Sequence, residues 1–317
     1  MDPICRAQAL VPTHEGEWAG SWDHSPLEGV WDYSPLEGSQ RAERAGGGDL
    51  RSQMVDRAAG DPPIRLALLG DPVAHSRSPA IHEAALRAVG IRGSYEARRT
   101  DAHGMERACA EIRSGALDGV NVTMPLKAVA LEAVDRASKV AIRAGAVNTV
   151  CLRDGSAVGE NTDVGGIRDA WRRRRLPDDV PILVLGAGAA AAAALLAREG
   201  SELLVSSRRS GMSSALAARL EADAIEIPWR TAVPGAVVVN ATPLGMDDEL
   251  LPGDILDEAS GLFDMAYGAS TTPAVAAMRD RPVADGIDML IAQAARSFQI
   301  WTGVAAPFDL MEAAARA

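Results

Sequence analysis

The sequence is short of aromatic residues, of cysteine and of long apolar runs, and each shortage removes a class of protein. Phe, Trp and Tyr make up only 4% of 317 residues, so a core must be assembled mainly from Ala, Val, Leu and Ile. The three cysteines, Cys5, Cys109 and Cys151, are odd in number and lack metal or redox spacing. They read as reduced thiols of a cytoplasmic protein rather than as a disulfide framework. No His/Cys/carboxylate cluster has ligand spacing, so no metal is expected. No apolar run approaches the roughly 18 residues of a membrane helix, and the acidic N-terminal stretch has no signal-peptide core. No membrane partner is expected. An excess of positive charge is missing too: the net charge is −11, which argues against a nucleic-acid footprint. A small anionic substrate would need a local positive site within this acidic protein.

What is present describes a globular chain of two domains, with 47% hydrophobic and 24% charged residues. Residues 1–60 stand apart. They carry Gly46-Gly47-Gly48 and a near-duplicate, Trp22 to Gly29 followed by Trp31 to Gly38. Two copies are too few for a repeat array, which needs about three. The segment reads as a disordered extension, with Met54 as an alternative initiator; the competing reading is a partner-binding motif built on Trp22 and Trp31.

From residue 64 strands and helices alternate. Strands are expected at Arg65–Gly70, Ser94–Arg98 and Gly119–Thr123, with helices over Pro79–Val89 and Met105–Ile112 and another opened by Pro125. Such alternation implies crossovers and a mostly parallel sheet. A second series begins at Pro181–Gly186, with an Ala-rich helix to Glu199 and strands at Glu202–Ser206, Ala236–Asn240 and Leu262–Ala266. Asp163 to Arg174 is expected to bridge the two series. Final helices are expected near 287–300 and 307–316.

Gly186-Ala187-Gly188-Ala189-Ala190-Ala191 is a GxGxxA element directly after a strand and before a helix. The first glycine suits a tight turn, the second lets backbone approach a pyrophosphate, and small Ala191 lets the helix pack on the strand. A plain Gly/Ala loop is the competing reading. At the end of the next strand, Ser207-Arg208-Arg209 stands where the adenosine ribose is expected. An acid there would take the 2′-OH of NAD, whereas an arginine would pair with the 2′-phosphate of NADP. Residues 204–210 hold no acid, so NADP is the expected cofactor; a solvated arginine pair is the alternative.

Four further segments place polar groups at strand ends, where ligands of α/β proteins bind. They are Gly70 to Pro79, containing His75, Ser76 and Ser78; Asn121 to Lys127, containing Thr123; Gly145 to Thr149, containing Asn148; and Gly159 to Asp163. Singly, each reads as turn or cap chemistry. Together, in this order and with Asn240–Met246, Asp264–Tyr267 and Gly286–Gln293, they resemble the signature stretches of the shikimate dehydrogenase family across residues 65–317.

That resemblance implies reversible reduction of 3-dehydroshikimate with NADPH, on a two-domain α/β fold. A mixed α/β substrate-binding domain would span about 61–165 plus 287–317, and a Rossmann-like, doubly wound nucleotide-binding domain about 166–286. By matching position it implies Lys127 and Asp163 as the catalytic pair, and Ser76, Ser78, Thr123, Asn148, Tyr267 and Gln293 as substrate ligands. Cofactor contacts would come from Gly186, Ala187, Gly188, Ala189, Ala190, Ser207, Arg208, Arg209, Thr242, Met246, Gly286 and Met289. The chain departs from the family at Ala189 and Ala192, at Ser207 to Arg209, at Asp71 and at Glu83. His75 and His82 read as packing residues rather than bases. Quinate or aminoshikimate as substrate, or a non-catalytic sensing role, stay open on the sequence, as do monomer and homodimer.

Overall fold

The computed structural model describes residues 62–317 except 253, 269, 270 and 279, so the expected N-terminal extension lies outside the described residues. The first series runs β1 (Ile64–Gly70), α1 (Ser78–Ala88), β2 (Gly93–Arg99), α2 (Ala102–Arg113) and β3 (Gly119–Val122). It continues with α3 (Lys127–Ala133), β4 (Arg136–Ala137), α4 (Lys139–Ala144), β5 (Thr149–Arg153) and β6 (Ser156–Glu160). Helix α5 (Thr162–Arg173) leads to β7 (Ile182–Leu185), α6 (Ala189–Ala197), β8 (Leu203–Ser206), α7 (Met212–Leu220) and β9 (Ala224–Glu226). Then come β10 (Val237–Asn240), β11 (Gly261–Asp264), α8 (Pro273–Ala277), β12 (Val283–Ala284), α9 (Gly286–Thr302) and α10 (Phe308–Arg316).

The first sheet has the order β2-β1-β3-β5-β6-β4 and is mixed. β1 pairs in parallel with β2 and β3, and β4 with β6, but β5 is antiparallel to both β3 and β6. Three of its five pairs are parallel, as the alternation of strands and helices implies, and β5 alone runs against its neighbours. The cause is local: β5 and β6 are joined by Asp154 and Gly155, both at positive φ (52° and 73°), the backbone of a two-residue hairpin. A connection that short can only join antiparallel neighbours.

The second sheet has the order β12-β11-β10-β7-β8-β9, and all its pairs are parallel. The order reverses at β7 and β10, leaving a crevice beyond their carboxyl ends. Strands β7, β10 and β11 are buried throughout. The Ile-Leu-Val-Leu and Val-Val-Val runs of β7 and β10 are what a sheet covered on both faces requires. On one face the shortage of aromatics is met by alanines: Ala191 to Ala194 of α6 are fully buried against Val184, Val237 and Val239.

Helices α9 and α10 come last in the chain but cover the first sheet's series, packing Ile291, Ala294, Phe298 and Met311 against Ile81, Ala85 and Leu86 of α1. Helix α9 also lies along α5, held by Arg296 on Asp169 (2.7 and 3.0 Å) and by Arg174 on Asp288 (2.8 and 2.6 Å). Among the described residues no helix is long and apolar enough to cross a membrane.

Trp171 is the large side chain on which α5 seats against the second sheet. It is 1% exposed, stacks on Phe263 with centroids 6.1 Å apart, and carries the Arg198 guanidinium 4.3 Å above its ring. Trp171→Ala is expected to destabilise the protein by about 3–5 kcal/mol, read as a lower urea midpoint. An unchanged midpoint would show that this contact is dispensable.

Candidate active site

Register brings the polar segments together. Asn121 lies opposite Thr149, and Thr149 opposite Glu160, so the ends of β3, β5 and β6 meet. Helix α5 starts at that point, capped by Asn161, whose Oδ1 accepts from Asp163 N (3.1 Å) and Val164 N (3.3 Å). Asp163 thereby sits in the first helical turn, where the helix dipole favours a carboxylate. One of its oxygens, Oδ1, accepts from Asn148 Nδ2 at 2.9 Å. The other, Oδ2, accepts from Lys127 Nζ at 2.7 Å, with the lysine delivered by the first residue of α3. The pair is mostly buried, with side chains 22% and 8% exposed.

Behind this pair lies a buried polar network. Asn148 Oδ1 accepts from Thr162 N at 2.8 Å. Asn121 Nδ2 donates to Thr149 Oγ1 and Ser297 Oγ, each at 3.0 Å, while Tyr95 Oη donates to Asn121 Oδ1 at 2.8 Å. Burial pushes the Tyr95 hydroxyl well above its usual range. Its ring stacks on His82, 4.4 Å away and 10° from parallel. His82 is fully buried, and neither ring nitrogen has a hydrogen-bond partner among the described residues. Burial pushes its pKa down to about 3, so the imidazole packs as a neutral ring and is no base.

In front of the pair opens a cavity of about 880 Å³. Lys127, Asp163, Ser76, Ser78, Thr123 and Asn148 line it from the first series. Tyr267 and Gln293 face them, Gln293 arriving on α9. All the residues singled out for substrate and catalysis thus line one space. Of the expected cofactor residues, Ala190, Met246, Gly286 and Met289 share it. Gly186, Ala187, Gly188, Ala189, Ser207, Arg208, Arg209 and Thr242 do not line it, so the expected cofactor set is divided rather than gathered in one space. They lie beyond the carboxyl ends of β7, β8 and β10. Arg208 and Arg209 are exposed, with no side-chain partner among the described residues, and Ser207 Oγ donates to Arg209 O at 2.9 Å. Thr242 Oγ1 is turned to Asn240 Oδ1 (2.6 Å). Arg77, Asn121, Asp247 and Glu249 also line the cavity, although sequence reasoning does not single them out as ligands. For Arg77 the available signal is its place between Ser76 and Ser78.

The loop after β7 fits a dinucleotide. Gly186 has φ +117°, and a Cβ there would lie 2.8 Å from Ala241 O. A Cβ on Gly188 would meet nothing within 4 Å, so the space before α6 is open. Gly188 is also the N-cap of α6 and gives it no side-chain cap, so the first-turn amides face that space unfilled.

Comparison with known proteins points to one family. Residues 68–150 match the family described as shikimate dehydrogenase substrate binding domain, and residues 286–316 the shikimate 5′-dehydrogenase C-terminal domain. The chain is similar to a shikimate dehydrogenase (NADP(+)) of Thermus thermophilus, 39% identical over 260 residues, covering 80% of this chain and 98% of that one. It is similar to the protein of that name from Alkalilimnicola ehrlichii, 37% identical over 76% of this chain and 94% of the relative. Among solved structures, a shikimate 5-dehydrogenase from Thermus thermophilus in complex with NADP(H) and shikimate superposes with a TM-score of 0.74. It shares 38% identity and covers 80% of this chain and 98% of that one.

The buried His82 gives the fold a pH dependence whose sign follows from its neutral state. The unfolded chain takes up a proton near pH 6.5, whereas the folded one resists until about pH 3. This contribution is therefore complete above pH 6.5 and is lost as pH falls towards 3. Between pH 6.5 and 5 the loss is about 1–2 kcal/mol. His82→Phe, which keeps the stack on Tyr95, is expected to flatten the urea-midpoint profile over that window. A profile as steep as that of the wild type would place the titration elsewhere.

Proposed function

The chain belongs to the shikimate dehydrogenase family, and from that premise we propose that it interconverts 3-dehydroshikimate and shikimate using NADP(H). The observation that carries the proposal is the Lys127–Asp163 pair, 2.7 Å apart in the wall of the cavity. Reducing a ketone to an alcohol needs a hydride at carbon and a proton at oxygen. A nicotinamide held beside the pair would supply the hydride. Lys127 supplies the proton: one ammonium hydrogen is committed to Asp163, and the others are free to meet the substrate oxygen and steady its developing negative charge. Asp163 fixes the direction of the ammonium, and Asn148 holds Asp163 in turn. In the oxidative direction Lys127 takes the hydroxyl proton.

Ser76 and Ser78 are assigned to the ring carboxylate, and Thr123, Asn148, Tyr267 and Gln293 to the ring hydroxyls and carboxylate. The glycine loop takes the pyrophosphate, and Ser207, Arg208 and Arg209 take the adenosine 2′-phosphate. With Ala190, the residues Thr242, Met246, Gly286 and Met289 flank the nicotinamide half. The same reading makes 61–165 with 287–317 the substrate-binding domain and 166–286 the nucleotide-binding domain. A cytoplasmic setting suits the buried free thiols Cys109 and Cys151. Nicotinamide absorbance with shikimate, quinate and aminoshikimate, each with NADP and NAD, tests the assignment; no turnover of shikimate with NADP would overturn it.

Two outcomes follow from the assigned roles. Lys127→Ala and Asp163→Ala should each lower kcat at least about a hundredfold, the lower end of general acid–base contributions. Near-normal turnover by folded Lys127→Ala protein would remove the lysine from the mechanism. For the cofactor, one charge-assisted hydrogen bond corresponds to a preference of about tenfold or more. NADP should exceed NAD by about that factor in kcat/KM, and Arg208→Ala should erase most of it by weakening NADP while sparing NAD. Equal use of both cofactors by the wild type would mean that the arginines are only solvated.

A further inference from the structure

The cavity carries more negative than positive charge, yet the substrate proposed for it is a carboxylate. Its charged side chains are Arg77, Lys127, Asp163, Asp247 and Glu249. Lys127 is already neutralised by Asp163 at 2.7 Å. Glu249, facing from the loop after β10, accepts from Gly245 N and Asp247 N, both at 3.2 Å. Arg77 differs from Lys127, the other cation. Its guanidinium has no carboxylate partner among the described residues, and one nitrogen, Nη1, donates to the backbone oxygen of Ala315 on α10. An arginine has five N–H donors, so four remain available. The side chain is half-buried and lines both the main cavity and a smaller neighbouring one of about 350 Å³, with Tyr267 and Gly268 shared between them. Tyr267 feels its charge: burial raises the hydroxyl's titration, and Arg77 opposes that rise.

We infer that Arg77 is the specificity-determining residue for the substrate carboxylate, supplying the positive charge that the hydroxyls of Ser76 and Ser78 cannot. Serine hydroxyls orient a carboxylate but leave its charge uncompensated in a cavity lined by acids. Arg77 lies between the two serines in sequence, at the N-cap of α1, so the three side chains leave one turn. The tie to Ala315 holds the guanidinium at the cavity wall and limits how much freedom it loses on binding. This inference rests on the proposed function, because it presumes a carboxylate-bearing ring.

The test compares shikimate with its methyl ester, which keeps the ring and hydroxyls but carries no charge. Arg77→Met should lower kcat/KM for shikimate by about ten- to a hundredfold and that for the ester by less than about threefold. The KM for NADP should stay unchanged. Arg77→Lys should keep most of the wild-type preference for acid over ester. If acid and ester fall together, or neither falls, Arg77 is only an anchor for α10 and the inference is overturned. Should Arg77→Met fail to fold, the wild-type acid-over-ester ratio carries the same test. It should decline as ionic strength rises, and an insensitive ratio overturns the inference. Absence of wild-type turnover of shikimate with NADP is a separate outcome, which removes the functional reading itself.

Discussion

The buried hydrogen-bond network running from Tyr95 through Asn121, Thr149, Ser297 and Thr162 to Asn148 is the constraint on which the candidate active site depends. These side chains come from β2, β3, the start of β5, α5 and α9, and they find their partners only when those elements are in one register. An unpaired polar group in such a place is heavily penalised, so a fully satisfied network admits few alternatives. Asn148 is the member that faces both ways. It bonds Thr162 within the network and Asp163 at the cavity, so the order of the buried side passes to the Lys127–Asp163 pair through one amide.

The two sheets solve different problems. The second, parallel and buried on both faces, provides a rigid crevice at its switch point and little side-chain chemistry. What it presents beyond its strand ends is backbone: a glycine at 186 with φ +117°, an open one at 188 and the uncapped first turn of α6. The first sheet is mixed, and its hairpin returns the chain so that three polar strand ends share one corner. Side-chain chemistry therefore gathers on the first sheet, and exposed backbone gathers on the second.

Much of this is legible in the sequence because the chemistry needs particular residue types at strand ends. Lys127 stands out further in a chain that otherwise uses arginine: Lys127 and Lys139 are its only lysines. An arginine at 127 would keep the charge but could not exchange a proton near neutral pH. The β5–β6 hairpin escapes a reading based on alternating strands and helices, although Asp154-Gly155 between two apolar stretches is a hairpin signal. The short strands β4, β9 and β12 offer too few residues for any periodicity to show. What a linear reading cannot supply is where a side chain is tied down. Arg77 lies beside Ser76 and Ser78, but its tie to Ala315 spans 238 positions. Nor does a strand-end position tell a cavity wall from open surface, which is why Arg208 and Arg209 share a motif logic with Ala190 but not its cavity.

The placement of α9 and α10 has a consequence for how the protein is made. Until residues 286–316 have been synthesised, Ile81, Ala85 and Leu86 of α1 lack the apolar face that covers them, and Ser297 is missing from the polar network. The second sheet, by contrast, can close once β12 has left the ribosome. At about 5–20 residues per second the delay lasts a few seconds, during which a complete second sheet is tethered to a first sheet still partly uncovered. The newborn chain therefore passes through a stage with an exposed apolar surface, at which a chaperone has something to hold.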